Sequence, residues 1–175
     1  MIKINTDRLV IRDHVEDDLD AMHSLLSDEK AMFYLPDIRT RNLEETKRNL
    51  QTAMEEANSD NRTKYFFAIL DKDSQEYIGE IGFTKAIDCD YGNVMNLGYF
   101  IKENYWGKGI VTQACKAIIN YAFHNLHTIK IETGCITDNI GSEKVMKKLG
   151  MIKEAEFKNM FYYIKNYTIA LNIEC

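Results

Sequence analysis

The 175-residue chain has one proline, Pro36, and one tryptophan, Trp106. So little proline leaves no Pro-rich linker, and no internal repeat marks a second unit. Residues 1–175 are therefore expected to form a single domain, long enough to bury its own core. Cysteine is also scarce. Cys89, Cys115, Cys135 and Cys175 show no Cys-x-x-Cys spacing, which argues against a disulfide framework and for free thiols in a reducing cytoplasm. His124 and His127 lie three apart near a predicted helix end, without neighbouring ligands, so no metal site is expected. Met1–Asn5 opens neither a signal peptide nor a membrane span. Positive charge is in deficit. Twenty-two Lys and Arg against 27 Asp and Glu give a net charge of −5, which argues against nucleic-acid and anionic-membrane partners.

Periodicity supplies the rest of the outline. Leu9, Val10 and Ile11 form a short β run, and the five acids between Asp13 and Asp20 are expected on the exposed first turn of a helix. Leu19, Met22, Leu25 and Leu26 recur along that helix at helical spacing. Asn42-x-x-Glu45 has the form of a capping box ahead of a second helix carrying Leu50, Ala53, Met54 and Ala57. Three β-rich runs, Tyr65–Leu70, Tyr77–Thr84 and Val94–Ile101, predict an antiparallel meander. Ile129–Ile136 is a further strand, which must cross over to lie parallel to the third. Asp138 and Asn139 cap another helix, Gly150 ends it, and residues 151–157 and 160–170 form a closing hairpin.

The chain turns on the stretch from Gly98 to Asn125. A strand meets Gly107-Lys108-Gly109, and a helix from about Thr112 follows, with Ala114, Ala117, Ile118, Tyr121 and Ala122 on one face. Two glycines allow the backbone to turn tightly and approach a ligand, while the helix start aims unpaired N–H groups at the loop. Such a place suits a phosphate or pyrophosphate. A structural turn would need the same glycines.

Gly98-Tyr99-Phe100-Ile101, Tyr105-Trp106-Gly107-Lys108-Gly109-Ile110, Asn139-Ile140-Gly141-Ser142 and Lys148-Leu149-Gly150-Met151 together resemble the GNAT acyltransferases. The likeness is closest to their ribosomal-protein N-acetyltransferase-like branch. Thr6-Asp7-Arg8-Leu9-Val10-Ile11-Arg12 extends it over nearly the whole chain. The general loop pattern is Gln/Arg-x-x-Gly-x-Gly/Ala, from which Trp106 and Val111 depart, although the branch commonly carries Tyr-Trp-Gly-Lys-Gly. The resemblance implies an α/β (α+β) fold: a mixed, mostly antiparallel sheet of about seven strands, helices on both faces, and a splayed βαβ unit that takes acetyl-CoA.

It also implies site residues. The amides of Leu97, Gly98 and Tyr99 would bind the pantetheine arm and polarise the thioester, with Gly98 alternatively a bulge. The pyrophosphate would rest on Trp106, Gly107, Lys108, Gly109, Ile110, Val111 and Thr112, with the Lys108 side chain either a phosphate partner or simply solvated. No residue falls to the 3′-phosphate, so dephospho-coenzyme A is expected to bind more nearly like the parent than free pantetheine does. Asn139 would tie the pantetheine or cap its helix, and Ser142 would be a proton donor to the departing thiolate or a cap-like hydroxyl. Many relatives place a tyrosine where this chain has Met146, and a carboxylate where it has Asn96. Glu80 is the substitute base, or else a solvated strand glutamate. Tyr34, Tyr99, Phe100, Tyr105, Trp106, Phe161, Tyr162 and Tyr163 are available for an acceptor cleft or for the core.

The function implied is direct transfer of an acetyl group from acetyl-CoA to a primary amine. Protein N-terminal, amino-acid, polyamine and antibiotic amines all stay open, and a homodimer is compatible. Cys135 lacks a histidine neighbour and is read as a buried strand cysteine rather than a nucleophile. A non-catalytic acetyl-CoA-binding protein is the alternative, motivated by Asn96, Val111 and Met146.

Overall fold

Residues 1–158 and 163–170 are described by the structure, a computed structural model. In chain order they form β1 (Lys3–Asn5), β2 (Leu9–Asp13), α1 (Leu19–Leu26), α2 (Leu43–Ala57), β3 (Lys64–Asp71), β4 (Tyr77–Cys89) and β5 (Gly92–Ile101). Then come α3 (Ile110–Asn125), β6 (Thr128–Ile136), α4 (Ile140–Lys148), β7 (Ile152–Lys158) and β8 (Tyr163–Ala170). One sheet runs in the order β1-β2-β3-β4-β5-β6-β8-β7. All its pairings are antiparallel except β5 with β6, the expected crossover. The strand beyond the expected seven is the three-residue β1. The glycine loop also hands over to α3 earlier than expected, at Ile110 rather than about Thr112.

The alternation of each strand assigns its residues to two cores. Leu9, Ile11, Phe67, Ile69, Ile81, Phe83, Met95 and Leu97 face α3 and pack on Ala114, Ile118 and Ala122, all buried. Val10, Ala68, Leu70 and Tyr77 point the other way, against Met22, Leu25 and Leu26 of α1 and Leu50 of α2. At about 25 cal/mol per Å² of apolar surface removed from water, this two-sided burial supplies the main drive for folding. The Asn42 side chain accepts from the Glu45 amide at 2.9 Å, and the Glu45 carboxylate accepts from the Arg41 amide at 2.7 Å, so the predicted cap forms. No helix among the described residues is long and apolar enough to cross a membrane.

The acids after β2 depart from expectation. Asp13 and Asp18 are buried rather than exposed, 1% and 5% accessible. Arg62 grips Asp13 at 2.7 Å, and Arg12 holds both oxygens of Asp18 at 2.7 and 2.8 Å. The hydrophobic spacing of α1 does not reveal partners 49 residues away. Burial works against the charge on Asp18, but the contacts from Arg12, His14 and the Val15 amide overcome it and hold the carboxyl well below its usual range. His14 is buried with Nδ1 3.4 Å from Asp18, near enough to interact but outside hydrogen-bond geometry.

Candidate active site

Strands β5 and β6 pair only from Asn93↔Thr128 to Asn96↔Glu132. Beyond that point β6 stays with β8, and among the described residues Leu97–Ile101 keep strand pairing with β4 alone, so a gap opens between the two parallel strands. Polar groups alternate along a strand edge. The Lys102 amide donates to Ile78 on β4, whereas the Leu97 carbonyl accepts from the Thr133 hydroxyl on β6 at 2.8 Å. Odd-numbered residues therefore turn their backbone groups toward the gap. Leu97 and Tyr99 present amides there, while Gly98 faces β4, opposite Gly82. That corrects the expectation for Gly98 as an amide donor.

The loop below the gap has the predicted turn with one reassignment. Gly107 and Gly109 lie at φ 71° and 74°, the left-handed region that side chains other than glycine's occupy at a cost. Trp106 does not offer its amide, which donates to Glu103 at 3.0 Å; its indole N–H caps the Ile101 carbonyl at 3.0 Å. The tryptophan thus closes the strand end and shapes the turn. No protein acceptor meets the amides of Gly107, Lys108, Gly109, Ile110, Val111 and Thr112 among the described residues. Val111 packs its side chain against the core, so its amide is free without crowding the loop. Arg8, 100 residues upstream, fixes this loop from β2's approach. Its Nε donates to Gln113 at 2.8 Å and its Nη1 to the Lys108 carbonyl at 3.1 Å. Lys108 itself lies over the Tyr105 ring at 5.4 Å.

On the α4 side, Asn139 accepts from the Ser142 amide at 3.0 Å as the helix cap. The hydroxyls of Tyr99 and Ser142 are 2.7 Å apart. Burial pushes the Tyr99 phenol well above its ordinary value, so it stays protonated. Met146 is buried in the core. Only the fold brings Tyr99 and Ser142, 43 residues apart, together. Burial also raises the Cys135 thiol, which removes thiolate character.

Across the sheet from α3 a cavity of about 160 Å³ is lined by Ile38, Phe66, Glu80, Thr84, Asn96 and Phe100, with Gly82 and Gly98 among its other walls. The register explains it: Glu80 pairs with Phe100, Gly82 with Gly98 and Thr84 with Asn96. Of the two glycines in the middle pair, Gly98 opens the space, since a Cβ added there would meet nothing within 4 Å, whereas one at Gly82 would stand 2.2 Å from the Tyr65 carbonyl oxygen. Glu80 is not the solvated strand residue the alternation allowed, being only 9% accessible. α1, α2 and the loop between them cover its face, which strand periodicity cannot show. Its Oε1 accepts from the Tyr77 hydroxyl at 2.8 Å. Burial pushes its carboxyl above the usual range, against the pull of His14 and the Tyr77 hydrogen bond. Of the aromatics expected in a cleft, Phe100 lines this cavity and Tyr99 does not. Phe161, Tyr162 and the Tyr163 side chain lie outside the described residues. The same described residues contain no group of three His, Cys, Asp or Glu able to hold a metal ion.

Comparison with known proteins agrees with this geometry. The family model for an acetyltransferase (GNAT) domain matches residues 8–152. An uncharacterised N-acetyltransferase of Bacillus subtilis, YnaD, is 31% identical over 155 residues, covering 89% of this chain and 85% of the relative. Among solved structures, the ribosomal L7/L12 alpha-N-protein acetyltransferase RimL in complex with coenzyme A superposes with a TM-score of 0.85 at 19% identity, covering 98% and 99% of the two chains. A spermidine N-acetyltransferase of Vibrio cholerae, in complex with coenzyme A and spermine, gives 0.79 at 17% identity, covering 94% and 96%. At these identities the structural matches speak for the fold.

Proposed function

The chain belongs to the GNAT acetyltransferase family and is an acetyl-CoA-dependent N-acetyltransferase, and we propose that it acetylates an α-amino group directly, with Glu80 as general base. The observation that carries this reading is the buried Glu80 carboxylate in one cavity with Asn96 and Gly98, on the strand that borders the gap. Bound acetyl-CoA supplies an activated acyl carbon as its thioester. The unpaired amides of Gly107–Thr112 hold the pyrophosphate, and those of Leu97 and Tyr99 hold the pantetheine arm and the carbonyl oxygen as it gains charge. The amine approaches through the opening beside Gly98 and gives up its proton to Glu80 as it attacks. No covalent intermediate on the protein is required.

Acceptor choice follows from charge. At pH 7.4 an amine of pKa about 10.4 is neutral to about one part in a thousand, whereas an α-amine of pKa about 7.7 is about one-third neutral, a difference of roughly 3.7 kcal/mol in deprotonation work. Among the described residues, Glu80 is the only acid lining the cavity. A polyamine brings further ammonium groups for which no second carboxylate is provided there. Rates for a short peptide with a free α-amine, an Nα-blocked lysine peptide and spermidine, each at pH 7 and pH 9, test the proposal. The α-amine is expected to lead by at least tenfold at pH 7. A lysine peptide or spermidine used equally well at pH 7 refutes this acceptor class.

The departing thiol has a pKa near ~8.5 and needs little help to leave near neutral pH. The Ser142 hydroxyl, backed by Tyr99 at 2.7 Å, donates a hydrogen bond to the thiolate, worth about 1.5 kcal/mol for a charged acceptor. Ser142→Ala is therefore expected to lower kcat about tenfold while the KM for acetyl-CoA holds. An unchanged kcat would leave Ser142 as part of the helix start alone.

A further inference from the structure

Strand register builds the floor of the cavity that holds Glu80 in three rows. Glu80 pairs with Phe100, Gly82 stands between Phe66 and Gly98, and Thr84 pairs with Asn96. The first and third rows lie four residues, about 13 Å, apart along β4. The floor is therefore acidic at one end, polar and neutral at the other, and apolar between them. Phe66 and Phe100 are half-buried, and Ile38, contributed by the connection between α1 and α2, is 42% exposed. These apolar groups meet water where the cavity opens, and a ligand that covers them gains the free energy of removing that surface. The volume of about 160 Å³ is close to that of an apolar cavity of ~150 Å³ that accommodates a benzene ring. Among the described residues, no Lys, Arg or His lines it.

We propose that this cavity receives the side chain of the acceptor's first residue, so that the enzyme selects polypeptide N-termini that begin with a large apolar residue such as Phe, Leu or Met. The inference rests on the α-amine reading with Glu80 as base, as proposed above. With the amine at Glu80, the first side chain lies on the apolar middle of the floor, between Phe66 and Phe100. The peptide groups that follow run toward the Thr84 hydroxyl and the Asn96 amide, which both donate and accept hydrogen bonds. A free amino acid would instead bring its carboxylate into a cavity that already holds Glu80 and supplies no cation, and the like charges repel. An Ala or Ser first residue leaves the aromatic walls wet. Gly98 sets the size that is accepted. A Cβ added there meets nothing within 4 Å, so a side chain at this position would occupy the cavity without displacing the sheet.

Initial rates at saturating acetyl-CoA test this with wild type, Gly98→Ala and Gly98→Val. The acceptors are otherwise identical short peptides beginning with Phe, Leu, Ala or Ser, together with free phenylalanine and an Nα-blocked lysine peptide. In wild type, kcat/KM for the Phe and Leu peptides is expected to exceed that for the Ala and Ser peptides by about tenfold or more, as a hydrophobic pocket discriminates by side-chain size. Free phenylalanine is expected to fall below the Phe peptide by a similar factor. The Phe/Ala ratio is expected to drop through Gly98→Ala to Gly98→Val, with thermal unfolding confirming that both variants are folded. Equal use of Phe and Ser peptides by wild type, or a preference for Ser, overturns the apolar pocket and leaves the α-amine reading standing. A wild type that acetylates the lysine peptide and none of the α-amine peptides overturns both. Free phenylalanine used as well as the Phe peptide overturns the choice of a polypeptide, and a Phe/Ala ratio unchanged in the folded variants overturns the role of Gly98. The wild-type preferences decide the proposal even where a variant does not fold.

Discussion

Gly109→Asp is expected to weaken coenzyme A binding by several kcal/mol, a thousandfold or more, while the unliganded protein stays folded. Gly109 sits at φ 74° as the residue before α3, with nothing but the Arg8 guanidinium near its Cβ position. Aspartate enters the left-handed region more readily than most residues, so the backbone cost is about 1 kcal/mol. The new carboxylate, however, stands among the amides that face the pyrophosphate. At an effective dielectric near 20, one unit charge 4 Å from another contributes about 4 kcal/mol, here repulsive toward each phosphate. It also pairs with Arg8, which then ceases to support the site as a free cation. Isothermal titration with coenzyme A, alongside thermal unfolding of the apoprotein, separates the two effects. A normal affinity in Gly109→Asp would remove the phosphate reading of the loop, and a melted apoprotein would show the glycine to be structural.

The second large effect is expected at Glu80. Glu80→Gln keeps an oxygen for the Tyr77 hydroxyl, now 2.8 Å from the carboxylate, and keeps the side-chain volume, so the cavity persists. What it removes is proton acceptance, which for a positioned general base is worth about a hundredfold or more in rate. The expected kcat/KM for an α-amine peptide near neutral pH falls by about that factor. The pH profile should also simplify. In wild type the rate is expected to rise with pH as Glu80, whose carboxyl burial holds above its usual value of 4.5, ionises, and to rise again as the acceptor becomes neutral. Only the acceptor's own titration should survive in the variant. Stability moves the opposite way. A carboxyl whose folded pKa is raised contributes fully below its unfolded value, and that contribution is lost as pH rises through the folded value. Glu80→Gln should therefore unfold at a higher temperature than wild type at pH 8, with the advantage shrinking as pH falls toward 4.5. Full activity in the variant at pH 7 would return Glu80 to a purely structural role.

Much of the donor site was legible in the sequence because its parts are local. Strand, Gly107-Lys108-Gly109 and helix are contiguous, and the groups proposed to bind are backbone amides, so the positions of glycines and the onset of helical periodicity suffice to locate them. Asn139 is likewise read from its own helix, three residues from the amide it caps. Even there the local pattern could not show that Trp106 spends its amide on Glu103, because an irregular turn between strand and helix leaves no periodic signal.

The acceptor side and the electrostatics were decided by tertiary structure. Alternation placed Glu80 on the face opposite Ile81 and Phe83, but whether that face meets water depends on α1 and α2, which come from elsewhere in the chain. Burial of Asp13 and Asp18 depends in the same way on Arg62 and Arg12. The Tyr99–Ser142 hydroxyl pair and the grip of Arg8 on the loop each join separate segments. By itself the sequence determined where the backbone turns tightly ahead of a helix and which residues can lie on a common face, since both follow from short-range sterics and period. The tertiary structure alone decided which charges are buried, paired or left free, because desolvation and Coulomb energy depend on neighbours in space.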